Sequence, residues 1–204
     1  MEGGSQDSVA IEAIEPGPET WERFFTAASI VLVGTVDREG RPDVAPKHLA
    51  MPLGWRDKWC FVCTPRHTTY RNAVATGAFT VSYPGPEQIV QIGLAAAARA
   101  DDGSKPSLAA LATRPAQAVT GVLVGGARAW LECELDRTID GIDDASLVIG
   151  RVVAASVAEG SLRSPDRDDG ELLREAPVLV YLAPHRFAAV GETHVLPYPP
   201  DLRR

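Results

Sequence analysis

The chain has 204 residues, of which 45% are apolar and 23% charged, with a formal net charge of −7 and a pI of about 5.1. This is the composition of a globular domain long enough to bury a real core, not of a disordered chain. The acidic balance, with no basic stripe, argues against nucleic acid or an anionic membrane as partner, and no apolar run approaches the length of a bilayer span.

Residues 1–18 are polar and rich in Gly, Glu and Pro and read as a loose arm. They lack the basic start and apolar segment of a signal peptide, so a cytoplasmic protein is expected. Glu19 to Ala28 carries Trp21, Phe24 and Phe25 at helical spacing and predicts a short amphipathic helix. Ser29 to Val36 is apolar on both faces, as in a central strand. Asp37 to Gly40 turns the chain, and Val44 to Leu53 returns as the partner strand. Trp59 to Cys63 is the next strand. Cys60 and Cys63 have the spacing of a redox pair, but a redox CxxC opens a helix. On a strand, positions three apart face opposite ways. Together with an odd cysteine count, this reads as structural thiols in a reducing compartment.

Thr64-Pro65 reads as a helix start, Thr as N-cap and Pro at the first helical position, with Gly77 as the left-handed stop. Phe79 to Tyr83 is a strand; Glu87 to Ala98 and Ser107 to Thr113 read as helical. The pattern then returns to β at Val119–Val124, Ala127–Leu135, Leu147–Val157, Pro177–Leu182 and Phe187–Val190, with a charged loop over Ser161–Gly170. Many short strands with a few inserted short helices predict a mainly β barrel occupying residues 19–191, followed by a Pro-rich tail over 192–204.

The segment Thr64-Pro-Arg-His-Thr-Thr-Tyr-Arg-Asn72 carries the most chemical information. Helix N-termini leave backbone N–H groups unpaired and bear partial positive charge, so they attract anions. Arg66, Thr68 and Thr69 add a cation and two hydroxyls, and no acidic residue offsets the dipole as a bare helix would prefer. An anionic ligand such as a phosphate resolves that conflict; the alternative is an ordinary capped helix with solvated Arg66 and His67. Neither a dinucleotide-binding Gly motif nor a P-loop is present, and Gly121 to Gly126 reads as a turn. His48, His67, His185 and His194 show no metal spacing, and no nucleophile elbow suggests a hydrolase.

Three segments resemble the flavin-reductase-like, FMN-binding split-barrel family. They are Val31–Pro46 (VLVGTVDREGRPDVAP), Arg66–Val81 (RHTTYRNAVATGAFTV) and Trp130–Val153 (WLECELDRTIDGIDDASLVIGRVV), with Pro177–Gly191 similar to the family's closing strands. The resemblance implies an FMN-binding split β-barrel of Greek-key type. It places Ala45, Pro46, Lys47, His48, Leu49 and Ala50 along the isoalloxazine and ribityl chain, with Cys63 and Thr64 ending the strand beside them. Arg66 and Thr69 match the cation and hydroxyl that hold the phosphate in the family, with His67 beside them; Thr68 joins them from the helix-start chemistry alone. His48 stands where the family often has Ser, and His67 where Lys is common. Ala145 stands where many members carry His, and Asp143 and Asp144 beside it are expected to repel a dinucleotide phosphate.

The activity implied is that of an NAD(P)H-dependent FMN oxidoreductase, taking electrons from NADH or NADPH. It would supply reduced flavin to a flavin-dependent partner enzyme or pass electrons to a small-molecule acceptor. Ala145 favours the alternative of a non-enzymatic, flavoredoxin-like electron carrier. A homodimer is the expected assembly, with Trp55, Trp59 and Trp130 available to cover its interface.

Overall fold

The structure, a computed structural model, describes residues 10–100 and 102–197; most of the expected arm and tail lies outside the described residues. Its frame is a seven-stranded sheet. In chain order the strands are β2 (Val31–Val36), β3 (Pro42–Lys47), β4 (Ala50–Pro52), β5 (Lys58–Cys63), β6 (Ala78–Tyr83), β9 (Ala129–Ile142) and β10 (Ala145–Val157). Their spatial order is β3-β2-β6-β9-β10-β5-β4. The two edge strands, β3 and β4, are separated in sequence only by His48 and Leu49. A sheet whose opposite edges lie two residues apart must curl almost closed, and the seam of that barrel falls at residues 47–50.

Strand periodicity explains the core. Val31 and Val33 of β2 point into the barrel with Trp59, Phe61, Cys63, Phe79, Val81, Cys133 and Val148. Ile30 and Leu32 point the other way, onto a second cluster with Val44, Ile92, Ala95, Val122, Val124 and Leu179. That outer cluster is built from helix α2 (Ile89–Ala95), the hairpin β7 (Thr113–Pro115)–β8 (Val122–Val124), and β11 (Val178–Ala183), which pairs with β1 (Thr26–Ser29) and β12 (Arg186–Val190). With apolar contacts on both faces, β2 is the buried central strand its composition predicts.

Gly34 marks the closest approach between these layers. A Cβ there would lie well inside contact distance of the Val122 carbonyl oxygen and 2.5 Å from Thr80 Oγ1. The Thr80 hydroxyl itself donates to the Val122 carbonyl at 2.5 Å. Gly34→Ala is expected to destabilise the protein by about 2–3 kcal/mol, the upper range for overpacking. Urea unfolding measures this; a change below about 0.5 kcal/mol, the scale of a neutral surface substitution, would show that β8 yields freely.

Several expected elements are corrected. The helix over 19–28 is a 3-10 turn at Thr20–Glu22 followed by β1. Residues 26–29 pair with β11, and Trp21, Phe24 and Phe25 are exposed, so no core faces a helix there. The strand expected from Val119 begins only at Val122, because the buried Glu132 carboxylate accepts N–H bonds from Gln117, Ala118 and Val119 and holds them in a loop. Ser107–Thr113 is a 3-10 turn over Pro106–Ala110 leading into β7. Within the charged stretch, Asp168 accepts from the Glu171 N–H at 2.9 Å and caps α3 (Asp169–Glu175), which buries Leu172.

Cys60, Cys63 and Cys133 are free and buried. Burial pushes the Cys60 and Cys63 thiols up and Cys133 to about 12, so none is poised as a thiolate.

Candidate functional site

Helix α1 (Thr68–Thr76) packs against β2 and β3 close to the barrel seam and ends at Gly77, whose φ of 71° is the predicted left-handed cap. Its start differs from expectation. Thr64-Pro65-Arg66-His67 forms a turn closed by the His67 N–H on the Thr64 carbonyl at 3.0 Å, and His67 is the N-cap. Proline fits the second position of such a turn as well as it fits the first helical position, which is why the two readings compete. Arg66 therefore approaches from the turn before the helix, while the N–H groups of α1's first turn open beside it. The first turn carries no acidic residue and His67 makes no side-chain cap bond.

A cleft of about 390 Å³ lies over this helix start, lined by Ala45, Pro46, Lys47, Arg66, His67, Thr68 and Thr69 together with Asp43, residues 95–99 and Lys105. A second, of about 290 Å³, continues past Pro46 and Lys47 to His48, Leu49, Cys63, Thr64 and Ala145. Eleven of the twelve residues singled out by sequence thus line two adjoining clefts at the seam. The exception, Ala50, packs against the barrel core.

Lys47 is the central cation. It has no ion-pair partner among the described residues, and its charge acts on His48, Cys63 and His67 alike. Burial, then Lys47 and Arg66, hold His67 below its usual pKa despite the opposing Asp144. Burial, followed by Lys47, does the same to His48. Both rings therefore enter neutral at pH 7. The His48 ring stacks on Tyr181, with centroids 4.3 Å apart, and forms part of a third cleft with Ile30, Ile92 and Phe187.

Two features change the expected roles. The Thr69 hydroxyl donates to Asp43 at 3.3 Å, so toward a ligand Thr69 offers its backbone N–H, while the Thr68 hydroxyl keeps its proton free and accepts from Arg71. Asp144 does not stand as a free repelling charge: it pairs with Arg66 at 2.8 Å, and Tyr70 bonds Asp140 at 3.0 Å, so the tip of the β9–β10 hairpin is latched to the helix start.

Sequence reasoning missed the base of the cleft. Asp43, 2% exposed, holds Arg99 at 3.4 Å and Lys105 at 3.3 Å. Lys105 also donates to the carbonyls of Val44 and Ala95, and Arg99 to those of Pro42 and Gly103. The available signal was a lone Asp followed by the apolar Val44-Ala45-Pro46, with Arg99 and Lys105 flanking a polar loop. With Asp43 neutralised, the lining carries an excess of positive charge on a protein of net charge −7. Among the described residues, no cluster of His, Cys, Asp or Glu could hold a metal, and no helix is long and apolar enough to cross a membrane.

The fold is shared with nitrilotriacetate monooxygenase component B from Bacillus cereus (26% identity, 93% of this chain and 100% of that one, TM-score 0.76). It is also shared with a protein with a split barrel domain from Shewanella frigidimarina NCIMB 400 (19% identity, 85% and 87% covered, TM-score 0.74) and with an FMN-binding protein from Thermus thermophilus (19% identity, 92% and 99% covered, TM-score 0.71). The model of the flavin reductase like domain matches residues 23–187. The curled sheet, its seam and this match together settle the family: the chain belongs to the flavin reductase-like, FMN-binding split-barrel proteins.

Proposed function

We propose that the protein is an FMN-dependent oxidoreductase that takes electrons from NADH or NADPH and delivers them to free flavin, a flavin-dependent partner enzyme or a small acceptor. The observation that carries this reading is the cation-rich cleft at the α1 N-terminus, where unpaired N–H groups, Lys47 and Arg66 converge beside the barrel seam. These donors fit a phosphate monoester in charge and chemistry. Arg66, Thr68, Thr69 and Lys47 would hold the phosphate of FMN. Residues 45–49 with Cys63 and Thr64 would flank its ribityl chain and ring, much of this through backbone groups. FMN, when bound, supplies hydride acceptance and one-electron transfer; the chain supplies placement and electrostatics.

Neutral His48 and His67 leave Lys47 as the fixed positive charge between the two clefts at pH 7. That charge favours an anion lying along residues 45–49 whichever way the ring is turned. A second reading, an electron carrier without nicotinamide chemistry, rests on Ala145, which offers no side-chain polar group at the rim of the smaller cleft.

Anaerobic addition of NADH and of NADPH to the FMN-loaded protein separates the two readings. Bleaching of the flavin colour by one of them, at catalytic protein with excess FMN, is the expected result. Bleaching by dithionite but by neither nucleotide would leave the carrier reading. A homodimer remains our proposal for the assembly, supported by Leu49, Met51 and Trp55, which stand exposed along the short edge strand β4 and the turn after it.

A further inference from the structure

A separate cleft of about 400 Å³ lies between the end of the barrel and the three-stranded sheet, and it shares no lining residue with the two clefts of the flavin site. Its walls are almost entirely carbon, from Ile30, Tyr83, Val157, Leu162, Val178 and Leu179. Its size falls within the range of small-molecule pockets.

Two arginines, Arg128 and Arg163, are among the residues that line it. The main chain of Arg128 is fixed on both sides, its N–H donating to Tyr83 and its carbonyl accepting from Ala158, each at 2.8 Å. The guanidinium, in contrast, has neither hydrogen-bond nor ion-pair partner among the described residues, and its Nε is buried. Burial lowers its pKa; Glu87 acts in opposition but does not reach ion-pair distance. A half-buried cation against an apolar wall is costly unless it is matched. Arg163, at the rim, is already committed to Asp169 through two bonds, at 2.8 and 2.5 Å. One unmatched guanidinium therefore remains, suited to one negative charge.

We propose that this cleft binds a small monocarboxylate with an apolar body, its carboxylate held by Arg128 and its hydrocarbon part lying on Ile30, Leu162 and Leu179. A forked guanidinium meets a carboxylate with two parallel bonds. The site is independent of the flavin reading.

Isothermal titration of the full chain with octanoate, in parallel with octan-1-ol, tests it. Octanoate should bind one per chain and more tightly than the alcohol, and FMN should leave its affinity unchanged. Arg128→Met should weaken octanoate about tenfold or more, leave octan-1-ol unaffected, and melt at or above the wild-type temperature because no protein partner is lost. Four results would overturn the proposal. They are no octanoate binding, equal octanoate affinity in the variant, competition with FMN, or a lower melting temperature that reveals a structural partner for Arg128.

Discussion

Asp43→Ala should cost about 3–5 kcal/mol of folding stability, the range for removing one partner of a buried ion pair. The Asp43 side chain is 4% exposed and meets Lys105, whose side chain is 5% exposed, and Arg99. Deleting it leaves two poorly solvated cations held only by carbonyl groups. It also removes the acceptor of the Thr69 hydroxyl, loosening the first turn of α1. The wall of the cleft formed by residues 95–99 and Lys105 hangs on the same group, so the variant should lose FMN affinity as well as stability. Asp43→Asn keeps the shape and one acceptor oxygen and should lose less. Urea unfolding of the three proteins gives the comparison. A loss under about 1 kcal/mol for the alanine variant, the yield of an exposed pair, would mean that Lys105 and Arg99 are satisfied without it.

That ionic cluster shows where the sequence is legible and where it is not. Strands β2, β5, β6 and β10, and β9 as far as Leu135, can be read from apolar and β-branched runs, because a buried strand needs little beyond local composition. The stop of α1 is equally plain, since the left-handed turn at Gly77 makes a local demand on the backbone. The regions that misled are governed from a distance. Residues 26–29 look helical until β11 claims them, and Val119 looks like the start of a strand until Glu132 gathers its N–H with those of Gln117 and Ala118. At the site the same division holds. Lys47 and residues 64–69 come together because β3 and α1 each place a short contiguous segment at the seam. Asp43 meets Arg99 and Lys105 across 56 and 62 positions of sequence. No spacing rule connects them.

The double substitution Lys47→Ala, Arg66→Ala should weaken FMN binding by about 3–6 kcal/mol, or roughly two to four decades, taking 1.5–3 kcal/mol for each charge-assisted bond. Both side chains line the cleft at the start of α1, and Lys47 has no ion-pair partner among the described residues. Arg66 does have one, the exposed Asp144 carboxylate, so a phosphate must take it in exchange. Exposed pairs are worth at most about 1 kcal/mol, which makes that exchange easy. Asp144→Asn should accordingly tighten FMN several-fold at most, and the gain should fade with added salt. Riboflavin, which carries no phosphate, supplies the control: it should bind wild type more weakly than FMN and be nearly indifferent to the double substitution. Fluorescence titration of the apo protein with each flavin reads all of these affinities. Equal losses for FMN and riboflavin would move Lys47 and Arg66 from the phosphate to the ring or to the fold. Unchanged affinity for both would remove the helix start from the flavin site altogether.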